Sequence, residues 1–348
     1  MNKRIISSIF IFILISTLFG CADDSQGTAT TAPSDDSIPV AIEVPQDVPK
    51  AEPVVANEDT DEVIIEEPEP ELIMFEIPHP EASGTHVLEN DRVLVDYSNS
   101  GDGYFMVKFL EETNRDLRMR LTLPTGGNHV YIQRSDGEFA IYPFSHGNGT
   151  YQIEVFVAAG NGAFTHALNE TIKVELIDEF TPFIRPSYYV AYNENNEAIK
   201  FTWELTKSLP EEMQKIAAVY DYVIHNISYD MDFAKSVQGG SQTMYIPDID
   251  AIKKRGTGIC FDYAALMTAM LRSQGIPTQL VFGFVGKVYH AWINVYTEEA
   301  GWLDAVIYFN GSEWVLMDPT FASSMLDDSG SLEQFVGDGN NYDVRFIF

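Results

Sequence analysis

The chain has few cysteines, few basic residues and no long apolar run. Its 348 residues include two cysteines, Cys21 and Cys260, so a framework of several disulfides is excluded. Lysine and arginine together number 21 against 52 aspartates and glutamates, and the formal net charge is −31. A chain with this negative charge is repelled by the phosphate backbone of nucleic acids, so we expect no nucleic-acid partner. The charge also disfavours direct contact of the folded part with an anionic membrane.

The longest apolar stretch lies at the N-terminus, within residues 1–21. Two basic residues precede residues 5–19, which are apolar except for serines and a threonine. This pattern is typical of an export signal, and it is shorter than the roughly 20 apolar residues of a spanning helix. Residues 18–21, Leu-Phe-Gly-Cys, resemble the lipobox of bacterial lipoproteins. We therefore predict a lipid on Cys21 and an extracytoplasmic, membrane-anchored protein; an uncleaved anchor is the alternative.

Residues 22–72 contain no phenylalanine, tyrosine or tryptophan. They hold seven of the 17 prolines, and 15 acidic residues face a single base, Lys50. Such a segment cannot bury enough apolar surface to offset the entropy lost on ordering. We predict a disordered, acidic, proline-rich tether that carries the folded part away from the membrane. A tail without that role would have the same composition.

From residue 73 to about residue 192, apolar and polar residues alternate as in strands with one buried face. The clearest runs are residues 92–97, 104–109, 117–123, 151–157 and 171–177. Turn signals such as Asn148-Gly149 separate the runs, and this spacing predicts an antiparallel β-sandwich. Four histidines in this region lack the spacing of metal ligands, so we predict surface or turn positions and no bound metal. They are His86, His129, His146 and His166.

The period changes to that of helices in residues 193–348. Ser208 and Glu211 have the spacing of a capping box at the start of one helix. A second helical pattern covers residues 261–274, and Gly275 marks its end. Cys260 is thereby placed at a helix N-terminus, where amide groups and the helix dipole favour the thiolate. A thiolate in this position is a candidate nucleophile; a buried, inert cysteine is the alternative.

Two further residues complete a candidate catalytic set. His290 begins the strand-like run 290–296, and Asp318 follows another such run, residues 313–317. If these strands were neighbours, the Asp318 carboxylate would orient the imidazole and stabilise an imidazolium beside the thiolate. Taken alone, each residue has an ordinary explanation, as a strand histidine and as the aspartate of an Asp-Pro turn.

Three linked motifs together resemble the transglutaminase-like branch of the papain-type cysteine enzymes. They are residues 258–264 (Gly-Ile-Cys-Phe-Asp-Tyr-Ala), 290–292 (His-Ala-Trp), and Trp314 with 318–320 (Asp-Pro-Thr). The resemblance covers about residues 210–321 and implies an α+β domain, which we assign to residues 193–348. It implies Cys260 as nucleophile, His290 as base and Asp318 as orienting carboxylate. It also implies an upstream donor to the oxyanion, for which Tyr229 is the candidate; a core tyrosine is the alternative.

The resemblance implies acyl transfer or hydrolysis on protein or peptide amides through a thioester, with no cofactor. Cross-linking, deamidation and proteolysis use the same triad, and the sequence does not choose between them. The expected partners are a protein or peptide substrate at the cell surface and, through the lipid on Cys21, the membrane. The competing hypothesis is a non-catalytic lipoprotein that binds a surface partner through the β-sandwich and keeps the triad domain as a scaffold.

Overall fold

The structure, a computed structural model, describes residues 75–238, 245–304, 308–309, 314–315 and 342–348. The predictions for the signal segment with Cys21, for the tether and for Asp318 fall outside these residues. The described part combines antiparallel sheets with helices, in agreement with an α+β fold. No helix in it is long and apolar enough to cross a membrane.

Eight strands in the described residues between 87 and 174 form two four-stranded antiparallel sheets. Strands β1 to β8 are Val87–Glu89, Val93–Asp96, Tyr104–Phe109, Leu117–Thr122, Asn128–Gln133, Ala140–Pro143, Gly149–Gly160 and Ala163–Val174. One sheet has the order β1-β2-β3-β6 and the other β5-β4-β7-β8. In β4, Leu117, Met119 and Leu121 are buried and the residues between them are half-buried, which is the predicted two-residue period. Packing of the two sheets as a sandwich stays a prediction.

The buried apolar residues of these sheets belong to the same hydrophobic core as those of the helical region. The ring centroids of Tyr131 in β5 and Tyr142 in β6 are 4.6 Å apart. Tyr189, which follows the last of these strands, stacks 5.6 Å from Tyr131 and lies 4.9 Å from Phe348. The aromatic rings thus join the first two sheets to the C-terminal part of the chain.

His129 in β5 contradicts the prediction of a surface or turn histidine. It is 1% exposed because it shares the buried face of β5 with Tyr131. Its two ring nitrogens find no hydrogen-bond partner among the described residues. Its ring centroid lies 5.1 Å from that of His146 and 4.9 Å from that of Phe348. His86 and His166 are exposed, as the sequence predicts.

Five helices occupy the described residues between 197 and 272. Helices α1 to α5 are Glu197–Thr206, Glu212–Asn226, Met231–Gln238, Ile249–Arg255 and Cys260–Arg272. The predicted capping box at Ser208 is wrong, because the N-cap of α2 is Glu211, whose backbone N–H donates to Gln214 Oε1 over 3.4 Å. Pro210 disfavours helical backbone at the residue before it, so the helix starts only beyond the proline.

A further four-stranded antiparallel sheet follows α5 in the described residues and supports it. Its order is β13-β12-β11-β16, where β11 is Thr278–Val285, β12 is Val288–Thr297, β13 is Gly301–Leu303 and β16 is Tyr342–Ile347. Two short pairs are β9 (Ser228–Tyr229) with β10 (Thr257–Gly258), and β14 (Tyr308–Phe309) with β15 (Trp314–Val315). Helix α5 packs against β11 and β12 on one side and against α2 and α4 elsewhere.

Arg272, the last residue of α5, is fully buried and joins several segments. Its guanidinium donates to the backbone carbonyls of Thr278 and Arg185, both at 2.8 Å, and of Phe348 at 2.9 Å. Burial lowers the pKa of this guanidinium to about 10, so it stays charged at neutral pH. Gly275 then takes the left-handed backbone (φ 77°) that ends the helix where the sequence predicts.

Candidate active site

Cys260 is the first residue of α5, as the sequence predicts, and its free thiol is half-buried. The residue before it, Ile259, has extended backbone (φ −103°, ψ 174°) and is the N-cap. Because isoleucine has no side-chain oxygen, it cannot accept the first-turn N–H groups as serine or aspartate would. The start of α5 therefore presents amide donors around Cys260, and these favour negative charge there.

Asp262 holds the backbone just before Cys260 from inside the protein. It is 0% exposed, and its Oδ2 accepts the N–H of Ile259 over 2.9 Å. Gly258 makes this approach possible, since a Cβ built there would lie 2.6 Å from Asp262 Cβ, closer than real side chains approach. A glycine two residues before the cysteine is thus a packing requirement of the site.

Asp262 forms an ion pair with Arg255, the last residue of α4. Arg255 Nη2 lies 2.9 Å from Asp262 Oδ1, and the Tyr245 hydroxyl donates to the same oxygen. Arg255 also donates from Nε to the Thr257 carbonyl at 2.6 Å and from Nη2 to the Tyr245 hydroxyl at 3.0 Å. Burial raises the pKa of the Asp262 carboxyl above its usual value. Its partners all donate, however, which matches an ionised carboxylate held in place by a cation.

The β9–β10 pair brings Tyr229 beside residues 257–259, the nucleophile loop, which immediately precedes the candidate nucleophile Cys260. The pair is parallel, with Tyr229 opposite Gly258, and the N–H of Asp230 donates to the Gly258 carbonyl over 2.8 Å. Tyr229 is half-buried, and its ring centroid lies 6.4 Å from that of Tyr263. The candidate oxyanion residue is therefore paired to a residue two positions from Cys260, and its role stays a prediction.

His290 lies in β12, opposite Gly283 of β11, and is 5% exposed. Its ring centroid is 6.3 Å from that of Trp292, two residues along the same face of the strand. Helix α5 packs against β12, so Cys260 and His290 are carried by two elements in direct contact. The role of His290 as the base stays a prediction.

Asp318 is the member of the predicted triad that lies outside the described residues. The strand that precedes it, β15, pairs with β14, with Tyr308 opposite Val315. Strand β12 has β11 and β13 beside it in the described residues, so the adjacency that the sequence suggested between β12 and β15 is not seen there. Contact between Asp318 and His290 stays a prediction.

Tyr289, next to His290, is an aromatic residue at the site that the sequence did not indicate. It is 40% exposed, and its ring centroid lies 6.2 Å from that of Phe282. The ring centroid of Phe282 in turn lies 4.9 Å from that of Phe261, the residue after Cys260. Burial raises the pKa of the Tyr289 hydroxyl, and the nearby Cys260 adds to the shift, so this hydroxyl is a donor at neutral pH.

Arg255, Asp262, Tyr245 and Tyr289 are thus site residues that sequence reasoning missed. Asp262 had a local signal, because an acidic residue is favoured in the first turn of a helix. The two tyrosines had none, because they reach the site only through tertiary packing. Within the part of the chain that the structure describes, no three histidine, cysteine, aspartate or glutamate side chains come together as a metal site.

The model of the Transglutaminase-like superfamily matches residues 199–319, which include Cys260, His290 and Asp318. This match supports the resemblance drawn from the sequence motifs, and it identifies a transglutaminase-like α+β domain in this part of the chain. Members of the superfamily are cysteine peptidases or acyltransferases, and many of its proteins are uncharacterized or inactive.

Among individual proteins, the chain is 25% identical to the uncharacterized protein YebA of Bacillus subtilis (strain 168) over 41% of its own length. The match spans only 23% of that protein. A candidate cysteine protease from Cytophaga hutchinsonii has a TM-score of 0.35 at 16% identity, covering 76% of this chain and 73% of that one. Red sea bream transglutaminase has a TM-score of 0.24 at 14% identity, covering 62% and 48%.

Proposed function

We propose that the protein is a lipid-anchored, cell-surface thiol enzyme that transfers or hydrolyses the acyl groups of protein or peptide amides. One observation carries the proposal: Cys260 stands half-buried at the start of a buried helix whose N-cap, Ile259, has no side-chain oxygen to cap the first-turn amides. This start lies within the segment that matches the Transglutaminase-like superfamily. A thiol beside the first-turn N–H groups of a helix has what a cysteine nucleophile needs.

In the first step, the Cys260 thiolate attacks the carbonyl carbon of a glutamine side chain or a peptide bond. The new C–S bond pushes negative charge onto the oxygen, which the first-turn amides of α5 stabilise, with the Tyr229 hydroxyl as the second donor. The C–N bond then breaks, and protonated His290 gives its proton to the departing ammonia or amine. Asp318 keeps the imidazole in the orientation that this transfer requires.

In the second step, the thioester is resolved by a lysine amine or by water. His290 takes a proton from the incoming group, the new C–N or C–O bond forms, and the C–S bond breaks to return the thiolate. Transfer to lysine produces a cross-link, whereas transfer to water produces deamidation or completes proteolysis. The same three side chains serve each outcome, so the group that enters the site decides between them.

A fluorescent primary amine offered together with a glutamine-containing protein tests this function. We expect the wild-type protein to incorporate the amine or to cleave the target, and Cys260→Ala to do neither. His290→Gln should also remove the activity, whereas the matched control His225→Gln, at an exposed position of α2, should retain it. Activity that survives Cys260→Ala would contradict Cys260 as the nucleophile, whereas a wild-type protein that neither incorporates the amine nor cleaves the target would favour the non-catalytic, surface-binding lipoprotein.

The proposed anchor is a lipid on Cys21, followed by the acidic tether of residues 22–72. It is supported by the lipobox-like sequence and by the composition of the tether. Metabolic labelling of bacterial cells with a fatty-acid analogue should tag the wild-type protein in the membrane fraction. Cys21→Ser should lose the label, and a variant that keeps it would rule out this attachment site.

We propose that strands β1 to β8 pack as a β-sandwich domain, residues 73–192, ahead of the transglutaminase-like domain, residues 193–348. The arrangement is supported by the two four-stranded antiparallel sheets, whose strands all precede helix α1. Limited proteolysis should then cut first in residues 22–72 and next near the boundary at residues 192–193. Early cuts within β3 or β7, before any cut elsewhere, would contradict this division.

A further inference from the structure

The Arg255–Asp262 ion pair contacts the residues that immediately precede Cys260, and it makes or breaks no bond in the proposed reaction. It touches the nucleophile loop at two points, since Asp262 Oδ2 accepts from the Ile259 N–H and Arg255 Nε donates to the Thr257 carbonyl. These two contacts, with Gly258 between them, hold the three residues that immediately precede Cys260. The pair therefore constrains where the first residue of α5 stands.

We propose that Arg255 and Asp262 are positioning residues that act through Cys260, placing its thiol and balancing the charge beside it. The inference rests on the proposed function of Cys260 as the nucleophile, and it names the two residues that support that function. Asp262 supplies the anchor for the loop, and Arg255 supplies the positive charge that this anchor requires.

Asp262 lies two residues beyond Cys260 and is 0% exposed. A carboxylate buried this close to a thiolate opposes it, because like charges in a poorly solvated site repel strongly. Arg255 cancels that repulsion through the 2.9 Å contact between its Nη2 and Asp262 Oδ1. The other titratable groups in the surroundings are Tyr245, which touches both members of the pair, Tyr229, which is paired with Gly258, and Tyr289, which interacts electrostatically with Cys260. His290 lies on β12, the strand that packs against α5.

This balance predicts that the pH midpoint of Cys260 alkylation shifts in opposite directions when Asp262 and Arg255 are neutralised in turn. Asp262→Asn leaves the Arg255 cation uncompensated and should favour the Cys260 thiolate. Arg255→Gln leaves the Asp262 carboxylate uncompensated and should disfavour it. One uncompensated unit charge on a neighbouring side chain in a partly buried site moves a titration by about one pH unit. If the pair acted only through packing, Cys260 would be alkylated more slowly in both variants, and the two pH midpoints would not differ.

The experiment is the rate of iodoacetamide alkylation of Cys260 as a function of pH, followed by mass spectrometry of the peptide that contains it. We expect the midpoint to fall by about one pH unit in Asp262→Asn and to rise by about one in Arg255→Gln. Arg255→Lys should keep the wild-type midpoint but react more slowly, because one ammonium cannot reproduce the fork that binds both Thr257 and Asp262.

The matched control is the Arg120–Glu154 pair, which joins β4 to β7. Arg120 Nε and Nη2 each lie 2.6 Å from a Glu154 oxygen, and Glu154 is 3% exposed, so a buried carboxylate is again held by a partly exposed arginine. Arg120→Gln and Glu154→Gln should leave the alkylation midpoint where the wild-type protein has it. A midpoint that moves equally in these controls would overturn the inference.

Midpoints that stay unchanged in Asp262→Asn and Arg255→Gln, or that move in the same direction, would also overturn it. If circular dichroism shows that Asp262→Asn does not fold, Arg255→Gln decides alone, since the Arg255 side chain is 35% exposed and Asp262 keeps the Tyr245 hydroxyl and the Ile259 N–H as donors in that variant. An unchanged midpoint in that variant would then overturn the inference. Alkylation requires no substrate, so this outcome is distinct from failure of the proposed function, which the amine assay reports.

Discussion

Replacing His129 with leucine should make the protein less sensitive to mild acid. His129 is 1% exposed, and within the described residues neither of its ring nitrogens has a hydrogen-bond partner. Burial, with a smaller contribution from His146, lowers the pKa of its imidazole to about 3. The folded protein therefore keeps this side chain neutral at pH values where an unfolded chain would protonate it.

The magnitude follows from linkage between proton binding and folding. In the unfolded chain the imidazole titrates near its ordinary pKa of about 6.5, whereas in the folded protein it titrates near 3. The unfolded state binds the extra proton between these values, so stability is complete above about pH 6.5 and is lost as the pH falls toward 3. Between pH 7 and pH 5 this one group should remove about 2 kcal/mol of the free energy of unfolding.

The measurement is urea unfolding of the purified protein at pH 7, 6 and 5, followed by tryptophan fluorescence. His129→Leu should lose about 2 kcal/mol less stability than the wild-type protein over this range. The control His86→Gln, at an exposed position, should follow the wild-type curve. His146, whose pKa burial also lowers, leaves a smaller dependence of the same sign in the variant. Equal losses in His129→Leu and wild type would refute the assignment of the acid sensitivity to this buried imidazole.

Three further substitutions test the elements that hold the site. Gly258→Ala places a Cβ 2.6 Å from Asp262 Cβ. Alkylation of Cys260 should therefore slow at least tenfold, and the free energy of unfolding should fall by about 1–3 kcal/mol. An unchanged alkylation rate would contradict the close packing of Gly258 against Asp262. Arg272→Met leaves three carbonyls, two of them buried, without their donor and should cost about 3 kcal/mol in urea unfolding. A neutral result would mean that the segments which Arg272 joins rearrange. Asp248→Ala removes the N-cap that accepts two N–H groups of α4 at 3.0 Å, and should cost about 1 kcal/mol without moving the alkylation midpoint.

The strongest strands and helices of this chain were evident from local pattern. The run at residues 104–109 is β3 with the predicted bounds, and the helical pattern from residue 261 is α5 within two residues at each end. Helices α1, α3 and α4 were not predicted. Helix α3 has eight residues and lies in a polar stretch, so it is too short for its apolar residues to recur over several turns.

The prediction that Cys260 begins a helix is confirmed, because glycines, helical period and a stop signal are local features. His129 was predicted wrongly for the opposite reason. Its burial depends on which face of β5 meets Tyr131 and Phe348, and Phe348 is more than 200 residues away along the chain. The sequence pattern gives the period of a strand. Only tertiary packing decides which polar residues, such as His129, lie on its buried face.

Local sequence was enough to single out Cys260 and the three motifs that resemble the transglutaminase-like enzymes, because short-range chemistry and spacing are written directly in the residues. Tertiary structure alone brought Arg255 from α4 and Tyr245 to Asp262, placed Tyr289 near Cys260, and paired Tyr229 with Gly258. These contacts join different segments of the chain, and no periodicity of the sequence records them. The pairing of a buried carboxylate with its cation depends on burial, which exists only once the chain has folded.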